Sequence, residues 1–175
     1  MKRIIALLSV CAVLLGGGSI AAQPITTFEE ESVEYQLPYP GILVDNPLYF
    51  VKSIRNRLLI MFASSSLDKA QEYLNQSNKK LAMAEPLREK GKIKRTVGVV
   101  EDANDLFQKA VEQYKMIEDR PEEKPALLEE LKIANRKHRQ VIEDLLKNIP
   151  QGELESIEDL REENIAIGEE LSQLE

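Results

Sequence analysis

From Pro47 onward, apolar residues recur at spacings of three and four, a rhythm that predicts amphipathic helices rather than strands. The first predicted helix covers residues 47–62. Val51, Ile54, Leu58 and Met61 form its stripe, and Leu48, Leu59 and Phe62 widen it until its C-terminal end is apolar nearly all round. Such a helix is either central in a small core or buried in a partner or lipid surface, and core burial is the expectation. The second helix is predicted over residues 67–90. Leu67, Leu74 and Leu81 make a large row, and Ala70, Ser77 and Ala84 a small one, which suits close packing. Ser65 and Asp68 resemble a capping pair at its start. Pro86 predicts a kink or an early stop, and Gly91 a left-handed cap.

The third helix is predicted over residues 93–119, with a seam of Ile93, Val97, Val100, Asn104, Phe107, Val111 and Tyr114. The short Gly91-Lys92 link makes the second and third helices an antiparallel hairpin. Its basic tip (Arg88, Lys90, Lys92, Lys94, Arg95) reads as a solvated turn rather than an anionic contact. Pro121 and Pro125 bracket the start of the fourth helix, which runs to Asn148 with Leu127, Leu131, Ala134, His138, Val141 and Leu145 in its seam. The last helix carries Leu154, Ile157, Leu160, Asn164, Ile167, Leu171 and Leu174. Gly168 weakens it by up to ~1 kcal/mol relative to alanine, so it is expected to fray or dock weakly. The fold class that follows is all-α: an antiparallel bundle of four to five helices with coiled-coil-like seams.

Ahead of the helices lies a different pattern. Tyr35-Gln-Leu-Pro-Tyr-Pro-Gly-Ile-Leu-Val-Asp-Asn-Pro-Leu-Tyr49 combines proline-stiffened backbone with aromatics. Pro38 and Pro40 bias this segment to an extended, polyproline-like strap. Asn46 can cap the following helix, and Pro47 suits its first position. Six of the nine aromatics precede Ala63. Tyr39, Pro40, Leu43, Tyr49 and Phe50 are therefore the candidate contact surface. They can bind a partner or lie along the bundle, and inward packing is expected, since aromatics near a helix start more often finish a core than bind.

The N-terminus changes the picture of where the chain goes. Lys2 and Arg3 precede an apolar core over residues 4–15, and small residues follow near residues 19–22. Residues 1–22 thus read as a secretory signal peptide, too short in its apolar run to span a bilayer comfortably. The alternative is an uncleaved signal acting as a membrane anchor. Cys11, the only cysteine, lies inside it, so a mature chain has no thiol for a disulfide or a thiolate metal site. Residues 23–46 form a polar, then Pro-rich extended segment whose first part, 23–32, is expected to be disordered. Residues 47–149 form the bundle, and 150–175 an acidic C-terminal helix. That last stretch holds nine acids and one base, whereas residues 23–150 are close to neutral. The net charge of −7 therefore belongs to one helix, and no basic face suits a nucleic acid.

The chemistry that enzymes need is sparse. His138 is the only histidine and occupies a seam slot, where a buried structural role is expected. There is no HExxH, ExxH or CxxCH, no glycine-rich phosphate loop, and no second base for a serine nucleophile. Paired acids such as Glu129-Glu130 and Glu162-Glu163 point about 100° apart on a helix and read as solvated faces. No catalytic, cofactor-binding or metal-binding residue is expected, and no cofactor.

Over residues 33–120 the chain resembles an uncharacterised exported bacterial helical family. The shared features are a signal segment, a YxLPYPGxLPDNPLY-like stretch, a helix of IRDR type and a helical hairpin. Here the motif is Tyr35 to Tyr49, followed by Ile54-Arg-Asn-Arg57. Val44 stands in place of proline, Asn56 in place of aspartate, and Pro86 departs from the hairpin pattern. The resemblance implies no activity, cofactor or catalytic residue. The expectation is an exported, non-catalytic binding or scaffolding module at the cell envelope, periplasmic or extracellular, with an unknown protein partner and no transmembrane helix after signal cleavage. The alternative is a periplasmic carrier or sensor of a small apolar ligand. Homo-oligomerisation through an exposed seam is a further way for such helices to satisfy each other.

Overall fold

The computed structural model describes residues 34–174. The signal-like segment, the polar stretch 23–32 and Cys11 lie outside the described residues. Residues 34–40 form neither helix nor strand. The helices are α1 (Tyr49–Phe62), α2 (Ser66–Leu81), α3 (Ala84–Glu89), α4 (Ile93–Lys115), α5 (Lys124–Asn148) and α6 (Leu154–Ser172), with a 3-10 turn over Gln151–Glu153. No strand occurs among the described residues. The chain is an all-α antiparallel bundle.

Local chemistry sets most of the boundaries. Asn46 Oδ1 accepts from the Leu48 amide at 2.9 Å, and the Asn46 carbonyl accepts from the Tyr49 amide at 2.9 Å. Asn46 thus closes a tight turn through Pro47 and Leu48 rather than capping the helix: α1 begins at Tyr49, Leu48 precedes it without a side-chain capping bond, and Pro47 lies outside it. Ser65 Oγ accepts from the Asp68 amide at 3.1 Å, closing the predicted cap of α2. The predicted helix over 67–90 is two helices. Pro86 has no N–H for the Ala82 carbonyl, and the ladder shortens to three-residue bonding at Met83 before α3 begins. Gly91 ends α3 with φ +67°; its amide bonds to the Arg88 carbonyl and the Lys92 amide to the Leu87 carbonyl. That paired arrangement is a Schellman cap and reverses the chain into α4. α4 stops at Lys115, four residues short of the expected end, and Ile117 is buried in the loop that follows.

α2, α4, α5 and α6 make the bundle. α2 packs on α4 and α5, and α6 packs on the same two, so α2 and α6 stand at opposite corners. Their seams bury two apolar layers. One joins Leu67 and Leu74, Phe107 and Tyr114, Leu127 and Leu131, and Ile167 and Leu171. The other joins Leu81 and Leu87, Val99 and Val100, Ile142 and Leu145, and Ile157 and Leu160. Between them each helix contributes a buried polar residue: Ser77 and Asn78, Asn104, Asn135 and His138, and Asn164.

These groups bond across the bundle. Ser77 Oγ donates to the Ala103 carbonyl at 2.7 Å, and Asn104 Nδ2 to the Leu160 carbonyl at 2.8 Å. Asn164 Nδ2 donates to Asn135 Oδ1 at 2.9 Å. Asn78 Nδ2 donates to the Tyr35 hydroxyl at 2.7 Å, which leaves Asn78 Oδ1 to accept from His138 Nε2, also at 2.7 Å. Phe107 meets the His138 ring edge-on, with centroids 5.0 Å apart. Burial pushes His138 down to about 3, so the ring is neutral at ordinary pH.

α6 is firmly docked rather than frayed. Five of its residues are buried, and the Lys115–Glu170 ion pair ties it to α4. Gly168 is the reason it can approach α5. A Cβ there would lie 2.6 Å from Asn135 Nδ2 and 2.9 Å from Arg139 Nη2. The glycine that weakens the helix by itself is what lets it pack.

Two predictions follow from this packing. Gly168→Ala improves helix propensity but forces Asn135 and Arg139 to move, so thermal denaturation will show a net loss, about 1–3 kcal/mol; an unchanged or raised midpoint would refute the close-approach account. For His138, the folded state holds fewer protons than the unfolded state between pH ~3 and ~6.5. Its contribution is therefore fully present above pH ~6.5 and falls as pH drops. Between pH 6.5 and 5 the loss is about 2 kcal/mol, and it should be absent in His138→Gln when urea midpoints are compared across that range.

Candidate docking surface

Four anchors hold the strap onto the bundle. Tyr35 packs against the first apolar layer and joins Asn78, while Leu37, Leu43 and Val44 pack against the second. Tyr35 is pushed up from the ordinary phenol range, chiefly by burial and further by Glu130. Gly41 turns the chain with φ +66°. The basic hairpin tip is not merely solvated: Lys90 Nζ lies 3.4 Å from Asp45, and Arg95 donates to the Val44 carbonyl at 3.4 Å.

α1 then lies along α2, and the face it presents to α2 is its polar one. Lys52 Nζ donates to the carbonyls of Pro40 and Ile42, the latter at 3.2 Å. Gln76 Nε2 of α2 donates to the Asn56 carbonyl at 2.9 Å. Tyr49 is half-buried, with Lys52 Nζ 5.6 Å and Lys80 Nζ 5.2 Å from its ring centre. The reason is what α2 offers at this corner. Its apolar residues already serve the bundle, and Gln76, Lys79 and Lys80 face α1.

The expected core role of α1 is therefore overturned. None of its residues is buried. Val51, Ile54, Leu58 and Met61, the predicted core stripe, are all exposed, as are Phe50 and Phe62. Successive helical residues turn by about 100°, so these six fall on one arc facing away from the bundle. Arg57 borders one edge and Arg55 the other. Where the strap meets α1, Tyr39, Pro40, Ile42, Leu48 and Val51 line an open groove of about 490 Å³, with Lys52, Arg55 and Lys79 around it. Lys52 is pushed down to about 8, first by burial and then by the neighbouring charges of Lys79, Arg55 and Lys80.

The five candidate contact residues divide. Leu43 and Tyr49 pack on the second apolar layer as the inward reading expected. Pro40 is half-buried, its carbonyl held by Lys52. Tyr39, 86% exposed, and Phe50, 68% exposed, face outward. The outward residues missing from that candidate set are those of α1 beyond Phe50: Val51, Ile54, Leu58, Met61 and Phe62. The available signal was the width of its apolar face together with the absence of any acid between Asn46 and Leu67.

His138 is enclosed in the polar layer, away from this surface. No cluster of three or more His, Cys, Asp or Glu side chains is placed to hold a metal ion among the described residues. Nor, among them, is any helix long and apolar enough to cross a membrane.

A family model for a domain of unknown function, DUF5667, matches residues 41–174, and the chain belongs to that family. The match takes in the end of the strap and every helix, including acidic α6, which the resemblance over residues 33–120 had left out. Neither the comparison with curated proteins nor that with solved structures finds a match.

The two halves of the aromatic set should separate in stability measurements. Tyr49→Ala removes a packed ring and is expected to cost about 1–3 kcal/mol in chemical denaturation. Tyr39→Ala and Phe50→Ala should stay within about 0.5 kcal/mol of the parent. Equal losses at all three positions would mean that the outward aromatics are structural.

Proposed function

We propose that the chain is an exported, non-catalytic docking module of the bacterial cell envelope, and that the outward face of α1, with Tyr39 beside it, is its contact surface. The observation that carries this reading is the placement of six large apolar side chains on the solvent side of a helix whose polar side is bound to the bundle. Exposed contiguous apolar patches mark interaction sites, whereas isolated exposed apolar residues do not. The signal-like N-terminus and the YxLPYPGxLPDNPLY-like motif support export and a bacterial source. The inert, buried setting of His138 supports a non-catalytic role.

The carrier reading has less support. It needs an apolar cavity between helices, and the open cleft of about 480 Å³ beside Gly168 is lined largely by polar and charged side chains, among them Lys132, Asn135, Arg136, Arg139 and Glu169. The open groove beside the strap belongs to the docking surface instead.

In-cell photocrosslinking tests the docking reading. A photoreactive residue at Leu58 should give discrete adducts with an envelope component, and the same residue at Glu158 on α6 should not. Absence of adducts from Leu58, with the protein exported and folded, would overturn the assignment of this face.

A further inference from the structure

Resting on that docking reading, we infer that the occupant of the α1 face is an anionic lipid surface: Phe50, Val51, Ile54, Leu58, Met61 and Phe62 lie in the acyl boundary, and Arg55 and Arg57 meet the headgroup phosphates.

The first support is the distribution of types around the helix. An interfacial helix has one apolar face and cations at its flanks, and lies in the membrane plane with the apolar side sunk into the headgroup boundary. α1 has this layout, and its long arginine side chains can keep their charge at the phosphate level while their stems follow the apolar surface. At 1.5 Å per residue its 14 residues span about 21 Å, a length that lies on a bilayer and does not cross it.

The second support is charge. The chain carries 30 acids, yet residues 46–67 contain none and hold Lys52, Arg55 and Arg57. Lys79 of α2 adds a further cation beside them, whereas Lys80 is paired with Asp102. The most acidic element is α6, and it stands at the corner of the bundle opposite α2, on which α1 rests. The molecule is therefore polarised, with a basic apolar face on one side and the acidic helix on the other. Near an anionic leaflet each basic residue contributes roughly 1 kcal/mol of attraction.

The third support is the poor fit of the protein to itself. Outside residues 39–62, Met116 is the only large apolar side chain exposed among the described residues. A second copy thus offers no apolar patch other than its own α1 face. Pairing α1 with α1 would set arginines against arginines with no acid on either helix, which is destabilising. The outer face of α6 has charge of the right sign but no apolar residues to cover the stripe.

The absence of tryptophan from the chain makes a direct test available. In the full chain, Leu58→Trp gives a single reporter on α1, and Glu158→Trp a control on α6, so any effect of the N-terminal segment is separated from that of α1. Vesicles containing phosphatidylglycerol should shift Leu58→Trp emission to the blue, and brominated acyl chains should quench it, with Glu158→Trp unaffected. Vesicles of phosphatidylcholine alone should bind at least about tenfold more weakly. Adding Arg55→Gln and Arg57→Gln to the reporter should lower affinity for the anionic vesicles by roughly thirtyfold, and added salt should act in the same direction. No response of Leu58→Trp at about 1 mM anionic lipid, well above the range in which single-chain anchors bind, would overturn the inference. If the emission instead shifts with protein concentration, or Leu58 adducts prove to be protein, the lipid assignment fails while the docking face stands. If Ile54→Glu with Leu58→Glu collapses the melting transition, α1 is structural and the docking reading fails as well.

Discussion

The buried polar layer is the constraint on which the rest of the structure depends. Leucine, valine and isoleucine seams can slide past one another by a turn at little cost, because one apolar layer resembles the next. Hydrogen bonds cannot slide in this way. Ser77 reaches one carbonyl on α4, Asn104 one on α6, and Asn164 pairs with Asn135 on α5. Asn104 Oδ1 and His138 Nδ1 are already buried without a partner among the described residues, and a shifted register would strand further amides at a cost above what each bond contributes, which favours the observed one. The layer separates two apolar clusters and aligns four helices at one level.

The same layer reaches the surface through Asn78. That side chain accepts from His138 on α5 and donates to Tyr35 on the strap. The strap is thus tied to the centre of the bundle rather than only to its exterior. From this point the chain runs through Leu37, Leu43 and Val44, is clasped by Lys90 and Arg95, and delivers α1 to α2 in a fixed orientation. Lys52 and Asn56 then hold the polar side of α1 inward. Exposure of the apolar side is a consequence of this anchoring and not of any lack of hydrophobic residues. The surface proposed for docking is held against a core that its outward residues do not join.

Much of this was legible along the chain. The three-and-four spacing located every long helix, and Gly91 and Ser65 act as caps where their chemistry allows. The polar seam residues could be seen individually, and His138 is buried where a seam histidine was expected. Three readings depended on neighbours that the spacing does not reveal. Gly168 looked like a weak point until α5 was beside it. The basic hairpin tip looked solvated until Asp45 and the Val44 carbonyl were placed against it. α1 looked like core because periodicity reports only that a helix has an apolar face.

Amino-acid order alone determined the helical class, the caps and breaks, the concentration of acid in the last helix, and the lack of the residue sets that common catalytic sites require. These are local properties, set by backbone geometry and residue type within a few turns. Tertiary structure decided which apolar faces meet and which stay out. The four-helix interior is already filled by the seams of α2, α4, α5 and α6, and the side of α2 left for α1 is polar. A fifth amphipathic helix arriving there can satisfy its hydrogen bonds or bury its apolar stripe, but not both. In this fold it keeps the hydrogen bonds, and the stripe of Val51, Ile54, Leu58 and Met61 is left to face outward.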